Sequence, residues 1–207
     1  MIILRFSAKL GLLILAIIIL ATGSLLVTRQ QSNISETGKT LLAGSVQQIS
    51  AMAQGISVPG LPVRLKIPKL AVNSSIEGLG LTEEGDMDAP EAIDIAGWYN
   101  AGPRPGDIGS AVVDGHFGIL GNKPAIFDSL HTLNKGDLIY VEDRDGNTHT
   151  FIVSRTRLFQ PDDDASEVFH SDDDKSHLNL ITCQGTWNEN KESYSERLVV
   201  FADLLVD

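Results

Sequence analysis

The chain has 207 residues, 43% of them hydrophobic, and a net charge of −11 at pH 7. All 27 acidic residues and 14 of the 16 Lys and Arg follow residue 27, an acidic body behind a short basic start, which argues against a nucleic-acid partner. One cysteine cannot form a disulfide within the chain and cannot build a Cys-based zinc site.

Residues 10–27 form an 18-residue run without a charge, close to the minimum for crossing a bilayer. Arg5 and Lys9 precede it and no acidic residue occurs before Glu36, which predicts a cytoplasmic N-terminus and an extracellular remainder. Ala21-Thr22-Gly23 offers a signal-peptide cleavage site as the rival reading. Leu25, Leu26 and Val27 continue the apolar run past that point and favour an uncleaved single-pass membrane anchor over residues 1–27. Residues 28–60 are rich in Ser, Gln, Thr and Gly, with modest helical character around 41–52, and read as an extracellular linker.

Residues 61–207 are enough for one domain with a core of its own. Short apolar or alternating runs recur between turn signals at 63–67, 71–76, 110–117, 137–142, 148–155, 178–183 and 197–204. Asp145-Gly146 joins the fourth and fifth as a hairpin turn. The pattern predicts a mainly β domain, an antiparallel barrel or sandwich, with a short helix over 124–130 opening on Pro124 and a turn of another over 90–95.

Two acidic clusters, Asp162-Asp163-Asp164 and Asp172-Asp173-Asp174, lie in the connection at 159–177. They lack the ligand alternation and mid-loop glycine of a calcium loop and read as a solvated loop. His131, His149, His170 and His177 show no metal-ligand spacing and read as surface or packing residues, so neither a metal nor a cofactor is expected.

Cys183 ends the apolar run at 178–183. A free cysteine commonly serves as a small buried hydrophobe. In an exported domain, however, a lone unpaired thiol is also a candidate nucleophile, provided a base or cation stands near it. His116, after Gly115 at the end of one run, and Arg197, at the start of another, are the candidates for those parts, each at a predicted strand end.

The order of short motifs then points to a family. Ile67-Pro68-Lys69-Leu70 with Val72 and Ile76 comes first, followed by Gly97-Trp98-Tyr99, Gly102-Pro103 with Pro105-Gly106, and Gly115-His116. Phe127-x-x-Leu130-x-x-Leu133-x-x-Gly136-Asp137, Leu180-Ile181-Thr182-Cys183 and Arg197 complete the set. Residues 61–207 in this order resemble the sortases, cysteine transpeptidases of the Gram-positive cell surface, and look closest to class F, with classes D and E as alternatives.

The resemblance implies an eight-stranded sortase-type β-barrel. Its catalytic residues would be His116, Cys183 and Arg197, with Thr182 against the substrate and no metal or cofactor. It also implies cleavage of a sorting signal like Leu-Pro-x-Thr-Gly between Thr and Gly, through a thioester, and transfer to a cell-wall precursor or pilin amine. Two features depart from the family pattern: Asp114 where a small residue is usual, and the acidity of the long loop. The competing readings are a non-catalytic exported β-barrel acting as an adhesion or scaffold module, and another exported cysteine hydrolase. The Ser-His-Gly-Cys setting of L,D-transpeptidases is absent from the sequence.

Overall fold

The computed structural model describes residues 58–83, 85–190 and 192–206. The apolar run at 10–27 and the linker lie outside them, and among the described residues no helix is long and apolar enough to cross a membrane. In chain order the strands are β1 (Pro62–Ile67), β2 (Val72–Leu79), β3 (Ala96–Tyr99), β4 (Gly109–Asp114), β5 (Ile119–Leu120), β6 (Lys123–Pro124), β7 (Leu138–Asp143), β8 (Thr148–Phe159), β9 (Ser176–Asn188) and β10 (Ser193–Leu204). One helical turn, α1 (Ser166–Phe169), lies between β8 and β9.

Eight of these strands close a barrel in the order β1-β2-β3-β4-β9-β10-β8-β7, shut by β7 pairing with β1, while β5 and β6 make a separate small hairpin. Closure removes the exposed edges of an open sheet. Most pairs are antiparallel, as the turn-rich sequence predicts, but β2–β3 and β4–β9 are parallel. A parallel pair needs a crossover, and the long connections before β3 and between β4 and β9 provide the chain for it.

Strands β1 and β7 alternate, sending Leu65, Ile67, Ile139 and Val141 into the core. β4 and β10 instead carry continuous apolar runs because both of their faces are covered, and β9, covered likewise, interrupts its run with the buried polar Asn179 and Thr182. Ala111, Val113, Leu178, Leu180, Leu198 and Val200 face the barrel interior, whereas Val112, Val199 and Phe201 join Phe159 and Val168 in a second cluster outside it. The β8–β9 loop roofs that outer face. Glu167 is held by Arg155 at 2.6 Å and by Arg157, and buried Asn179 donates to Val168 O at 2.7 Å.

The predicted helix over 124–130 does not form; β6, a turn and a 3₁₀ turn at Leu130–Thr132 replace it. Ala125 N, Ile126 N and Phe127 N donate to Gly118 O, Ile93 O and His116 O, and the bonds inside the segment, Asp128 N to Ala125 O and Leu130 N to Phe127 O, span three residues and not four, so they close turns and no α-helical ladder. The acidic loop is also more ordered than its composition suggests. Asp163 and Asp164 accept from Gln160 N and Ser166 N, and Asp173 accepts from Lys175 N and pairs with His177.

At the barrel end formed by the β7–β8 turn, the 3% exposed Asp143 accepts from Gly60 N, Asp145 N, Asn147 N, Asn147 Nδ2 and His149 Nε2. Burial alone would push its pKa up, but these donors together carry the carboxyl well below the usual range. Asp143 therefore ties the start of the domain to the β7–β8 turn.

Asp143→Ala strands several of these donors and is expected to cost about 2–4 kcal/mol in chemical denaturation. Because the folded carboxyl is depressed, its contribution is complete above an ordinary aspartate value of about 4 and is lost as pH falls below it. The wild-type stability should therefore fall more steeply on acidification through that range than that of Asp143→Asn.

Candidate active site

Three adjacent strands deliver the site. β9 and β10 pair in a register that sets Cys183 directly opposite Arg197. β4 runs parallel to β9 with Asp114 against Ile181, so the chain leaving β4 passes Thr182 and brings His116 to the rim beside Cys183. Leu180, Thr182 and Leu198 point inward, so Ile181, Cys183, Arg197 and Val199 share the outer face.

Gly115 is a steric requirement. A Cβ there would lie 2.5 Å from Phe127 Cδ2 and 2.8 Å from Ile126 Cγ2. Its N–H donates to Ile181 O at 3.2 Å and its carbonyl accepts from Thr182 Oγ1 at 2.6 Å, pinning the turn to β9. His116 O in turn accepts from Phe127 N at 3.0 Å. The imidazole Nε2 stands 2.5 Å from Pro90 O. A carbonyl can only accept, so Nε2 carries a proton and Nδ1 is the nitrogen left to exchange one.

Beyond Cys183 the β9–β10 hairpin is irregular. The register shifts between Tyr194 and Glu196, Gly185 has φ +87°, and Ser195 Oγ accepts from Thr186 N at 3.0 Å. A bulge at this point kinks the hairpin and interrupts the ladder just past the thiol, and pairing resumes at Tyr194–Trp187 and Ser193–Asn188. The bend also supplies acceptors for Arg197, whose Nη1 donates to Tyr194 O at 3.2 Å and Glu196 O at 3.1 Å and whose Nη2 donates to Ser193 Oγ at 3.2 Å. Beside it Phe117, Tyr194 and Trp187 stack edge to face at centroid distances of 5.3 and 5.2 Å.

Cys183 is free and half-buried. Burial pushes its thiol up, the Arg197 cation pulls it back down, and the Asp114 carboxylate pushes it up again. The resting thiol is thus mostly protonated near neutral pH, and Arg197 is the cation that works against this. Asp114 is itself raised to about 6, by burial first, with the Gly115 N–H, His116 and Arg197 drawing it back.

Each residue expected at the site is accounted for. His116, Cys183 and Arg197 converge on one rim. Thr182 is fully buried, with its side chain on the barrel side of β9, and acts from beneath by holding Gly115 O. Pro90, Ser193 and Tyr194, which hold the imidazole and the guanidinium, carry no signal in the sequence. A cavity of about 700 Å³ between Met87, Tyr99, Pro103, Ser110 and Phe169 opens at the far end of β4, and none of the three rim residues lines it. Among the described residues no group of three or more His, Cys, Asp or Glu is placed to hold a metal ion.

A thiol, an arginine and an imidazole on one barrel rim are the parts of a cysteine-dependent acyl-transfer enzyme. The sortase domain family matches residues 65–205, and the chain belongs to the sortases, which are cysteine transpeptidases. Similar folds are seen in sortase C-1 from Actinomyces oris, 25% identical with a TM-score of 0.56 over 70% of this chain and 76% of that one. Sortase A from Corynebacterium diphtheriae is 23% identical, with a TM-score of 0.55 over 72% of this chain and 62% of that one. Sortase C1 from Streptococcus agalactiae is 22% identical, with a TM-score of 0.53 over 70% and 67%. No curated protein matches the chain in sequence.

Thr182→Val keeps the shape and removes the hydroxyl that satisfies Gly115 O. It is expected to lower stability by about 1–2 kcal/mol and to slow turnover by loosening the His116 turn. The reaction of Cys183 with iodoacetamide should change much less, and thermal melts with paired alkylation and turnover assays read the three effects separately.

Proposed function

We propose that this sortase acts at the outer face of a membrane, anchored by residues 1–27 and carried on the linker at 28–60. It cleaves a Leu-Pro-x-Thr-Gly-like sorting signal between Thr and Gly and passes the acyl group to a cell-wall or pilin amine. The observation that carries this reading is the register of β4, β9 and β10, which gathers His116, Cys183 and Arg197 on one rim within a sortase domain. The charge-free run behind Arg5 and Lys9 supports the anchor and its orientation. Assignment to class F rests on the order and spacing of the motifs.

In this reaction the Cys183 thiolate attacks the Thr carbonyl carbon. The carbonyl π electrons move to oxygen and return as the C–N bond to Gly breaks, leaving a thioester. His116, with its Nε2–H engaged by Pro90 O, takes the Cys183 thiol proton on Nδ1 as the thiolate forms, gives that proton to the departing amine, and later takes one from the incoming amine and returns it to the leaving Cys183 thiolate. Arg197 offers its remaining guanidinium donors to the oxyanion that develops next to Cys183. Thr182 holds the His116 turn, and no metal or cofactor enters the chemistry.

Cys183→Ala is expected to abolish both cleavage and acyl-enzyme. His116→Ala should lower kcat/KM by about 10²–10⁴-fold. Arg197→Lys should lose about 3–4 kcal/mol of transition-state stabilisation, since one ammonium cannot hold Tyr194 O, Glu196 O and Ser193 Oγ and still present a donor pair. Mass spectrometry of each variant with sorting-signal peptides and an amine reads acyl-enzyme and product together. A Cys183→Ala protein that still transfers the peptide, or a wild-type thiol inert to both peptide and iodoacetamide, would overturn the reading in favour of a non-catalytic domain.

A further inference from the structure

Asp114 is the last residue of β4, with Gly97 of β3 and Ile181 of β9 as its Cα partners. Val113 before it points into the core, so the Asp114 side chain falls on the outer face that also carries Cys183 and Arg197. On the β3 side that face is walled off. A Cβ on Gly97 would lie 2.1 Å from Leu79 Cδ1 and 3.1 Å from Pro90 Cγ, so those two apolar side chains stand where another residue's would be. Pro90 is also the residue whose carbonyl holds His116.

A half-buried carboxylate of this kind carries a desolvation cost that stability alone does not require. Among the described residues no side chain donates a hydrogen bond to it; the adjacent Gly115 N–H, which donates to Ile181 O, eases its charge only in part. On the surrounding elements β9 carries Cys183 and the distant His177, His116 follows β4, and β3 carries Tyr99. β10 carries Arg197, Tyr194, Glu196, which accepts from Gln160, and Asp203, which pairs with His177. The loop before β3 adds Asp88, Glu91 and Asp94, and in the β8–β9 loop Glu167 is already paired with Arg155 and Arg157. His116 and Arg197 act on Asp114, and Asp114 and Arg197 act on Cys183.

We propose that Asp114 is a positioning residue of the reaction, a second anion that shares Arg197 with the Cys183 thiolate and so sets the pH range over which the nucleophile forms. The proposal rests on the reading of Cys183 as the nucleophile. Two anions facing one permanent cation oppose each other. While Asp114 is ionised, thiolate formation is held back; when it is neutral, the Arg197 field falls on the thiol alone. Since the carboxyl titrates at about 6, it is charged under neutral conditions, and the thiol is kept protonated until the pH rises further or the charge is removed. The consequence is a nucleophile guarded against stray electrophiles by a neighbour that never touches the scissile bond.

The test uses the purified full-length chain and two readouts across pH 5–9, alkylation of Cys183 by iodoacetamide and peptide-to-amine transfer. Asp114→Asn keeps size and removes charge. It is expected to speed alkylation about three- to tenfold at pH 7 and to move the rising limb of kcat/KM to lower pH by the matching amount. Asp114→Glu, which restores a carboxylate, should return both profiles toward wild type. Superimposable wild-type and Asp114→Asn profiles would overturn the proposal.

A second measurement does not depend on the folding of an Asp114 variant. In a His116→Gln background the imidazole titration is absent, so the log of the alkylation rate should rise by less than one unit per pH unit across about pH 5.5–6.5, where Asp114 takes its charge. A slope of one throughout would overturn it. The two levels of inference fail differently: acyl-enzyme with no response to Asp114→Asn removes only the role of Asp114, while a charge-responsive thiol that never takes an acyl group removes the assignment of Cys183 as nucleophile, and the role of Asp114 with it.

Discussion

The site depends on one constraint, the double pairing of β9, parallel to β4 on one side and antiparallel to β10 on the other. A strand has a side-chain period of two, so a slip of one residue on either side would move Arg197 or the approach to His116 to the wrong face. The register is fixed by burial on both sides of the sheet. Inward, Val113, Leu180, Leu198 and Val200 are almost inaccessible; outward, Val112, Val199 and Phe201 pack with Phe159 and Val168. The rim then inherits its geometry from the core, and Thr182, buried inside the barrel, locks the last step through Gly115 O.

Within that frame the electrostatics of the rim are opposed. Burial and Asp114 resist ionisation of Cys183 while Arg197 favours it, so the resting thiol is restrained and its activation is conditional. Arg197 is held by three acceptors of its own hairpin, and among the described residues no carboxylate forms a direct ion pair with it. A direct acidic partner would have quenched the field that the thiolate needs. The hairpin bulge at Gly185 and Ser195 thus interrupts the ladder beside the site, where the Tyr194 and Glu196 carbonyls meet the guanidinium.

Much of the barrel was legible in the sequence because its strands are either alternating or continuously apolar, and the tight Asp145-Gly146 turn was visible in two residues, with Gly146 at φ +86°. Several motifs distant from the site turn out to be braces. Lys69 pairs with Asp137 at 2.7 Å, joining the Ile67-Pro68-Lys69-Leu70 and Gly136-Asp137 motifs, and a Cβ on Gly106 would meet His149 Nδ1 at 2.7 Å and Pro59 Cγ at 2.9 Å. What sequence reasoning missed was set by partners far along the chain. The segment at 124–130 has helical character, yet its first three donors are tied to Gly118, Ile93 and His116 and its internal bonds close only three-residue turns. The short β3 strand and the parallel pairings depend on neighbours that no local pattern encodes. The three rim residues could be picked out one by one as strand-end candidates, whereas the supports at Pro90, Ser193 and Tyr194 act largely through backbone carbonyls, which any residue would supply.

The central claim is that Cys183 carries the acyl group between donor and acceptor. It is tested most directly by quenching the full-length protein with a sorting-signal peptide in the absence of amine, digesting it, and locating the adduct by mass spectrometry before and after hydroxylamine. The expected result is a single hydroxylamine-labile acyl adduct on the peptide containing Cys183, discharged to product when amine is restored. An adduct on another residue, or transfer to amine that proceeds with Cys183 alkylated, would contradict it.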